Sequence, residues 1–300
     1  MIALPSGIIT VLNTPFTSSD RVDTSSLARN VRRAVRAGVS GFLVPALAAE
    51  VFELSDDERT SLVETVVREG DGKVTVIGSA TAQTGEDRRR HANRLMELGC
   101  DAVLVALDGR DGSIPAELAA LSGDGETPIV LQDWDPGGQG IPLDVIDEIA
   151  KHLPGVVGLK IEVVPAGPKF TALRDRYGDR FHLAGGWTVL QLIEAYDRGV
   201  NAFMPTGLHE IYVAIDSAYR AGDRKRAVEL FRSIVPILAF SNQHLNTSIH
   251  FFKRLLFAEG TYDTPRCRVS ADQFDRFHRR IADELISYAL SLTRALSSPK

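Results

Sequence analysis

Cysteine is scarce. The 300-residue chain carries two, Cys100 and Cys267, without a CxxC or a Cys/His ligand spacing, so neither a disulfide framework nor a zinc site is indicated, and no metal and no cofactor is expected. Long apolar runs are missing as well: none reaches the roughly 18 residues of a membrane span. Residues 1–7 lack the basic stretch and apolar core of an export signal, so a cytoplasmic protein with no membrane partner is expected. Nor is there an excess of positive charge. Thirty-four Lys and Arg stand against 39 Asp and Glu, a formal net charge of −5, which offers no footprint for nucleic acid. The short basic clusters at 88–90 and 224–226 read as solvated helix faces. No GxSxG elbow occurs, the seven histidines show no ligand pattern, and the glycines at 137–140 lack the spacing and position of a dinucleotide fingerprint.

What the chain does have is apolar content, 44% hydrophobic against 24% charged, enough for a large core. Eight short runs rich in Val, Ile and Leu recur at 7–12, 41–44, 74–79, 102–106, 128–131, 156–160, 181–184 and 202–205. Each precedes an amphipathic stretch, as parallel strands with crossover helices require. Asp23 is placed to cap the first helix, Ser55 and Glu58 form a capping box, and Thr84 with Asp87 repeats it more weakly. Gly38, Gly70, Gly99 and Gly199 fall where helices should stop. Eight units of about 28 residues fit a (β/α)8 TIM barrel over residues 1–222, with a doubly wound open sheet as the rival. Beyond it, helical patterns at 224–240, 249–259 and 270–296 predict a C-terminal helical extension over 223–300, packed on the barrel.

In such a barrel the chemistry sits at the C-terminal strand ends. Lysine is rare, seven of the 34 basic residues, and Lys160 alone ends a strand-like run, Val156-Val157-Gly158-Leu159-Lys160. Burial disfavours an ammonium and favours the neutral amine that attacks a carbonyl, which makes Lys160 a Schiff-base candidate; the alternative is a lysine that snorkels to solvent. Glu162, two residues on, shares its face if the strand continues, either as proton shuttle or as simple ion pair. By the same period Gln132 and Trp134 share one side of the fifth strand and Asp133 the other, where Asp133 either meets substrate or caps the turn before Pro136. Thr14, residues 45–50 and the Gly185-Gly186-Trp187 turn complete the loops at the expected catalytic face.

Taken in order, Thr14-Pro15-Phe16, Asp23, Glu50 before Leu54-Ser55-Asp56-Asp57-Glu58-Arg59, Gly158-Leu159-Lys160 and the Gly185-Gly186 turn resemble the dihydrodipicolinate synthase and N-acetylneuraminate lyase family of Schiff-base aldolases. The resemblance covers nearly the whole chain. It implies a homotetramer (dimer of dimers) acting on a small-molecule 2-keto acid, with Lys160 as the imine-forming lysine. It also implies a substrate-binding set of Thr14, Leu47, Ala48, Asp133, Gly185, Gly186 and Trp187. The departures matter too. The family's Gly-Thr-Thr-Gly-Glu stands as Ala46-Leu47-Ala48-Ala49-Glu50, leaving only backbone N–H groups to hold a carboxylate, and the usual Tyr-Asn of strand five is Gln132-Asp133.

Gln-Asp on strand five, Lys160-Ile161-Glu162 on strand six and a Trp after the strand-seven glycines resemble instead the branch that dehydrates 2-keto-3-deoxy sugar acids, such as 2-keto-3-deoxy-L-arabonate. The expectation is a lyase with Lys160, Glu162 and Gln132 as its catalytic set, dehydration favoured. A pyruvate aldolase or synthase is the alternative, and a non-catalytic keto-acid-binding paralogue the reading from another class.

Overall fold

The computed structural model describes residues 3–107, 113–122, 127–135 and 137–297. Eight strands alternate with helices: β1 (Gly7–Val11), β2 (Gly41–Val44), β3 (Thr75–Ser79), β4 (Ala102–Ala106), β5 (Ile129–Asp135), β6 (Val156–Val163), β7 (His182–Gly185) and β8 (Ala202–Phe203). They are hydrogen-bonded in chain order into a closed barrel. The helices are α1 (Thr24–Ala37), α2 (Asp56–Gly70), α3 (Gly85–Glu97), α4 (Ile114–Ser122), α5 (Leu143–His152), α6 (Gly167–Tyr177), α7 (Leu192–Asp197), α8 (His209–Arg220), α9 (Arg224–Ser241), α10 (Leu245–Ala258) and α11 (Arg276–Ser297). The expected fold class is the one observed.

The boundaries differ where side chains decide them. β5 runs four residues past its apolar core and β6 three, so Gln132, Trp134 and Glu162 lie within strands rather than after them. α2 stops at Gly70, but Gly70 is its last helical residue and Asp71, not the glycine, takes the left-handed position at φ 52°. α10 begins at Leu245, where the His244 ring accepts the Asn246 N–H, and not at 249. α11 begins at Arg276 and not at 270, because the Asp275 carboxylate accepts the N–H groups of Phe277 and His278 and so caps the helix there.

The chain forms two compact units. The first, Met1–Gly7 with Thr75–Met204, holds β3 to β8. Its strands are apolar on both faces, as in buried parallel sheets: Val103, Leu104, Ile129, Leu131, Leu159 and Ile161 are all buried. Each such side chain contributes about 1.5–3 kcal/mol of transfer free energy. The parallel register sets Gln132 beside Lys160, Trp134 beside Glu162, and Lys160 beside Ala184.

The second unit, Ile8–Val74 with Pro205–Lys300, holds most of β1, β2, α1, α2 and α8 to α11. Asp23 caps α1 by accepting the Ser26 N–H at 3.0 Å, and both bonds of the Ser55/Glu58 capping box are present. The Arg33 guanidinium ties α1 to Glu210 of α8 at 2.8 Å and to Glu259. Beneath these helices runs a buried polar chain. Asn30 Nδ2 donates to the Tyr262 hydroxyl at 3.4 Å, and Tyr262 donates to the Asn13 carbonyl at 2.6 Å. Asn30 Oδ1 is therefore an acceptor for His209 Nε2 at 2.9 Å, which leaves His209 Nδ1 to accept from Thr10 Oγ1 at 3.3 Å. This network needs a neutral imidazole.

Complete burial pushes the His209 pKa down from 6.5 to about 4. Because the folded-state value lies below the unfolded one, the unfolded chain takes up the proton first. The stabilisation is whole above about pH 6.5 and is lost as the pH falls toward about 4, by up to roughly 3 kcal/mol. The stability difference between wild type and His209→Gln, followed by urea denaturation, should therefore fall by that amount between pH 7 and 4. A difference constant over that range would rule the account out.

Candidate active site

Side chains alternate across a strand with period two, so the eight-residue β6 carries Lys160 and Glu162 on one face, and β5 carries Gln132 and Trp134 on one face. The register of the two strands then makes these four neighbours. Lys160, Glu162 and Gln132 are 4%, 4% and 2% exposed. A carboxylate so buried is stable only when surrounded by donors. Glu162 Oε2 pairs with Lys160 Nζ at 3.1 Å and accepts the Gln132 side-chain amide N–H, while Glu162 Oε1 accepts the backbone N–H of Trp187 at 2.6 Å. Hydrogen bonds to an ionised group contribute about 1.5–3 kcal/mol each, so the carboxylate is held from both sides.

The turn after β7 is shaped for this grip. A Cβ at position 186 would run into the Glu162 carboxylate and Lys160 Cε, so only glycine lets the Gly186–Trp187 backbone come this close. The Trp187 ring then meets Trp134 edge to face, 5.6 Å between centroids at 88°.

Asp133 stands apart from this cluster. It pairs with Lys169 at 3.2 Å and accepts the Ile141 N–H at 2.8 Å, so it staples the loop after β5. Burial raises its pKa, against the opposing Lys169 charge. Gly140, at φ +71°, has no room for a Cβ because the Asp133 carboxylate occupies that space. Pro136, the other end of the expected turn, lies outside the described residues. Lys169 was not singled out from the sequence; its signal was a rare lysine in the first turn of α6.

In the second unit, Thr14 Oγ1 donates to the Ala49 carbonyl at 2.7 Å and Asn13 Nδ2 to the Ala48 carbonyl at 2.6 Å. These side chains fix the 3-10 turn at Leu47–Ala49, whose Leu47 and Ala48 are half-buried. Glu50, in the left-handed region at φ 60°, accepts the N–H groups of Arg268 and Val269 at 2.6 and 2.7 Å and pairs with Lys253. It satisfies backbone groups of the 268–269 segment.

Lys253 is the residue that sequence reasoning missed. It is fully buried within the apolar stripe of α10, among Ile249, Phe252 and Leu256, and that interruption was the available signal. Desolvation pushes its pKa down against the pull of Glu50. Its ammonium is nevertheless committed, to Glu50, to the Arg266 carbonyl at 2.9 Å and to the face of Phe16 at 4.2 Å, with Arg268 over the same ring at 4.2 Å. Burial alone therefore does not single out a reactive lysine.

The fold is thus a closed (β/α)8 barrel with a buried lysine and its paired carboxylate on strand six. Residues 4–107 match the Dihydrodipicolinate synthetase family. The 4-hydroxy-tetrahydrodipicolinate synthase of Xanthomonas campestris pv. campestris is 31% identical over 234 residues, 74% of this chain and 75% of that protein. The chain belongs to the dihydrodipicolinate synthetase family of lyases. The L-2-keto-3-deoxyarabonate dehydratase of Azospirillum brasilense is 25% identical over 249 residues, 79% of this chain and 80% of that protein. In fold, the dihydrodipicolinate synthase of Rhodopseudomonas palustris superposes with a TM-score of 0.87 at 22% identity, over 95% of this chain and 100% of that one.

Removing one partner of a buried ion pair strands the other charge. Lys253→Met should cost about 3–5 kcal/mol by chemical denaturation, and Glu50→Gln added to it should recover a large part of that loss. Additive losses in the double variant would show that the two charges are not coupled.

Proposed function

We propose that this chain is a Schiff-base-forming lyase that dehydrates a 2-keto-3-deoxy sugar acid through an imine on Lys160. The observation that carries the reading is the Lys160–Glu162 pair, 3.1 Å apart and buried. Transfer of one proton from ammonium to carboxylate within the pair leaves the neutral amine that attacks the C2 carbonyl. Glu162 returns that proton to the hydroxyl of the resulting carbinolamine, which leaves as water and gives the iminium; the iminium acidifies C3, and Glu162, ionised again, takes the C3 proton to give the enamine. The enamine expels the C4 hydroxyl, which leaves as water with the proton returned by Glu162. Water then hydrolyses the unsaturated iminium and frees Lys160.

Similarity to the Azospirillum dehydratase supports this reading, as does the presence of Gln132 and Glu162 in the same cluster. Pyruvate-dependent synthesis or aldol cleavage is the second reading, favoured by the synthase relatives and sharing the same imine. The Leu47–Ala49 turn, Thr14 and the Gly185–Trp187 turn are assigned to substrate binding, and Asp133 to holding the β5 loop. Assembly as a homotetramer and a cytoplasmic location come with the family resemblance. Among the described residues no helix is long and apolar enough to cross a membrane.

Borohydride reduction in the presence of 2-keto-3-deoxy-L-arabonate or pyruvate should leave a covalent adduct that peptide mapping places on Lys160 and that is missing in Lys160→Ala. Glu162→Gln should still trap an adduct on Lys160, formed more slowly because the carboxylate that takes the ammonium proton is gone, and should lose about 100-fold or more in turnover, the usual worth of a general acid–base. Full turnover by Lys160→Ala would sink the mechanism.

A further inference from the structure

The Lys160 iminium alone does not decide between loss of the C3 proton, after which the enamine expels the C4 hydroxyl, and rupture of the C3–C4 bond, whose electron pair the iminium would take up. Dehydration needs the hydroxyl oxygen protonated as it departs, whereas cleavage needs the hydroxyl proton removed so that C4 becomes a carbonyl carbon. The outcome therefore turns on which part of the hydroxyl faces Glu162: its lone pairs or its hydrogen.

Gln132 bears on this choice. A carboxylate only accepts, so the Gln132 group that meets Glu162 is the amide nitrogen, and the side-chain orientation is thereby fixed with Oε1 on the other branch. Gln132 is 98% removed from solvent, and Oε1 has no hydrogen-bond partner among the described residues. A buried carbonyl oxygen left unpaired costs about 1–3 kcal/mol, so the site is built to receive a donor there. In a 2-keto-3-deoxy acid, C1 is a carboxylate, C2 the imine carbon and C3 carries only C–H, so the first hydroxyl donor along the substrate is the one on C4.

We propose that Gln132 determines the reaction's course: Oε1 accepts the hydrogen of the substrate's C4 hydroxyl, keeps that hydrogen from Glu162, and so commits the iminium to loss of the C3 proton and dehydration. With its hydrogen held by Gln132, the hydroxyl presents lone pairs to the adjacent Glu162, which is bonded to the same Gln132 through Nε2. Glu162, having taken the C3 proton, returns it to that oxygen, the C4–O bond breaks with its electron pair, and water leaves. An amide oxygen accepts a hydrogen bond but does not remove the proton, so the alternative step, O–H deprotonation with C3–C4 cleavage to pyruvate and an aldehyde, has no base at that point.

This assignment rests on the Lys160 imine reading above, and its test separates the two. Wild type, Gln132→Met and Gln132→Glu are supplied with 2-keto-3-deoxy-L-arabonate, and pyruvate and dehydrated product are quantified in each mixture, with borohydride trapping reporting the imine on Lys160. Wild type should dehydrate in preference to cleaving. Gln132→Met, lacking the acceptor, should move the product ratio toward pyruvate by about tenfold or more while still trapping an adduct. In Gln132→Glu two touching carboxylates share one proton at low pH, which preserves a donor to Glu162 and an acceptor for the hydroxyl; at higher pH the second carboxylate ionises and becomes a base. Its pyruvate fraction should therefore rise with pH, whereas that of wild type should not. An adduct on Lys160 with an unchanged product ratio in both variants would overturn the role of Gln132 and leave the imine reading standing. No adduct in wild type would overturn both.

Discussion

Everything at the candidate site depends on one buried carboxylate. Glu162 is compatible with its surroundings only because a side-chain ammonium, a side-chain amide and a backbone N–H all converge on it. Those three donors come from β6, β5 and the turn after β7, so the barrel's register and the carboxylate's solvation are one constraint seen from two sides. Shift β5 by one residue against β6 and Asp133 rather than Gln132 would face Lys160, placing two carboxylates against one amine. The loop staple at Ile141 would be lost in the same movement.

Much of this was legible in the sequence because it follows from periodicity. The eight apolar runs announced the barrel, and the two-residue offset of Glu162 from Lys160 announced a shared face. Less legible was strand length. Gln132, Trp134 and Glu162 are polar or bulky and look like loop residues, yet the parallel ladder continues through them to Asp135 and Val163. Hydrogen bonding by the neighbouring strand, which no local pattern reports, extends both strands. The start of α11 was misplaced for a similar reason: the residues from 270 onward have helical composition, but the Asp275 carboxylate takes the N–H groups that open the helix.

The two buried lysines show where sequence and burial each fall short. Lys253 is the more deeply buried, and desolvation works against its charge, but every direction its ammonium can point is already occupied. Both lysines have a carboxylate partner; what sets Lys253 apart is that the Arg266 carbonyl and the Phe16 ring take up its remaining directions, not its burial by itself. Glu50 makes the complementary point, since a motif position in the loop after β2 is spent on holding Arg268 and Val269, and its chemistry is that of a clamp.

The edge-to-face contact of Trp134 with Trp187 has a spectroscopic consequence. These are the two tryptophans of the chain, so its entire indole emission originates beside Glu162. Two indoles 5.6 Å apart are within range of excitonic coupling. The tryptophan bands of the near-ultraviolet circular dichroism thus report on the turn that grips the carboxylate, and a ligand entering this cluster announces itself in the tryptophan fluorescence without any label.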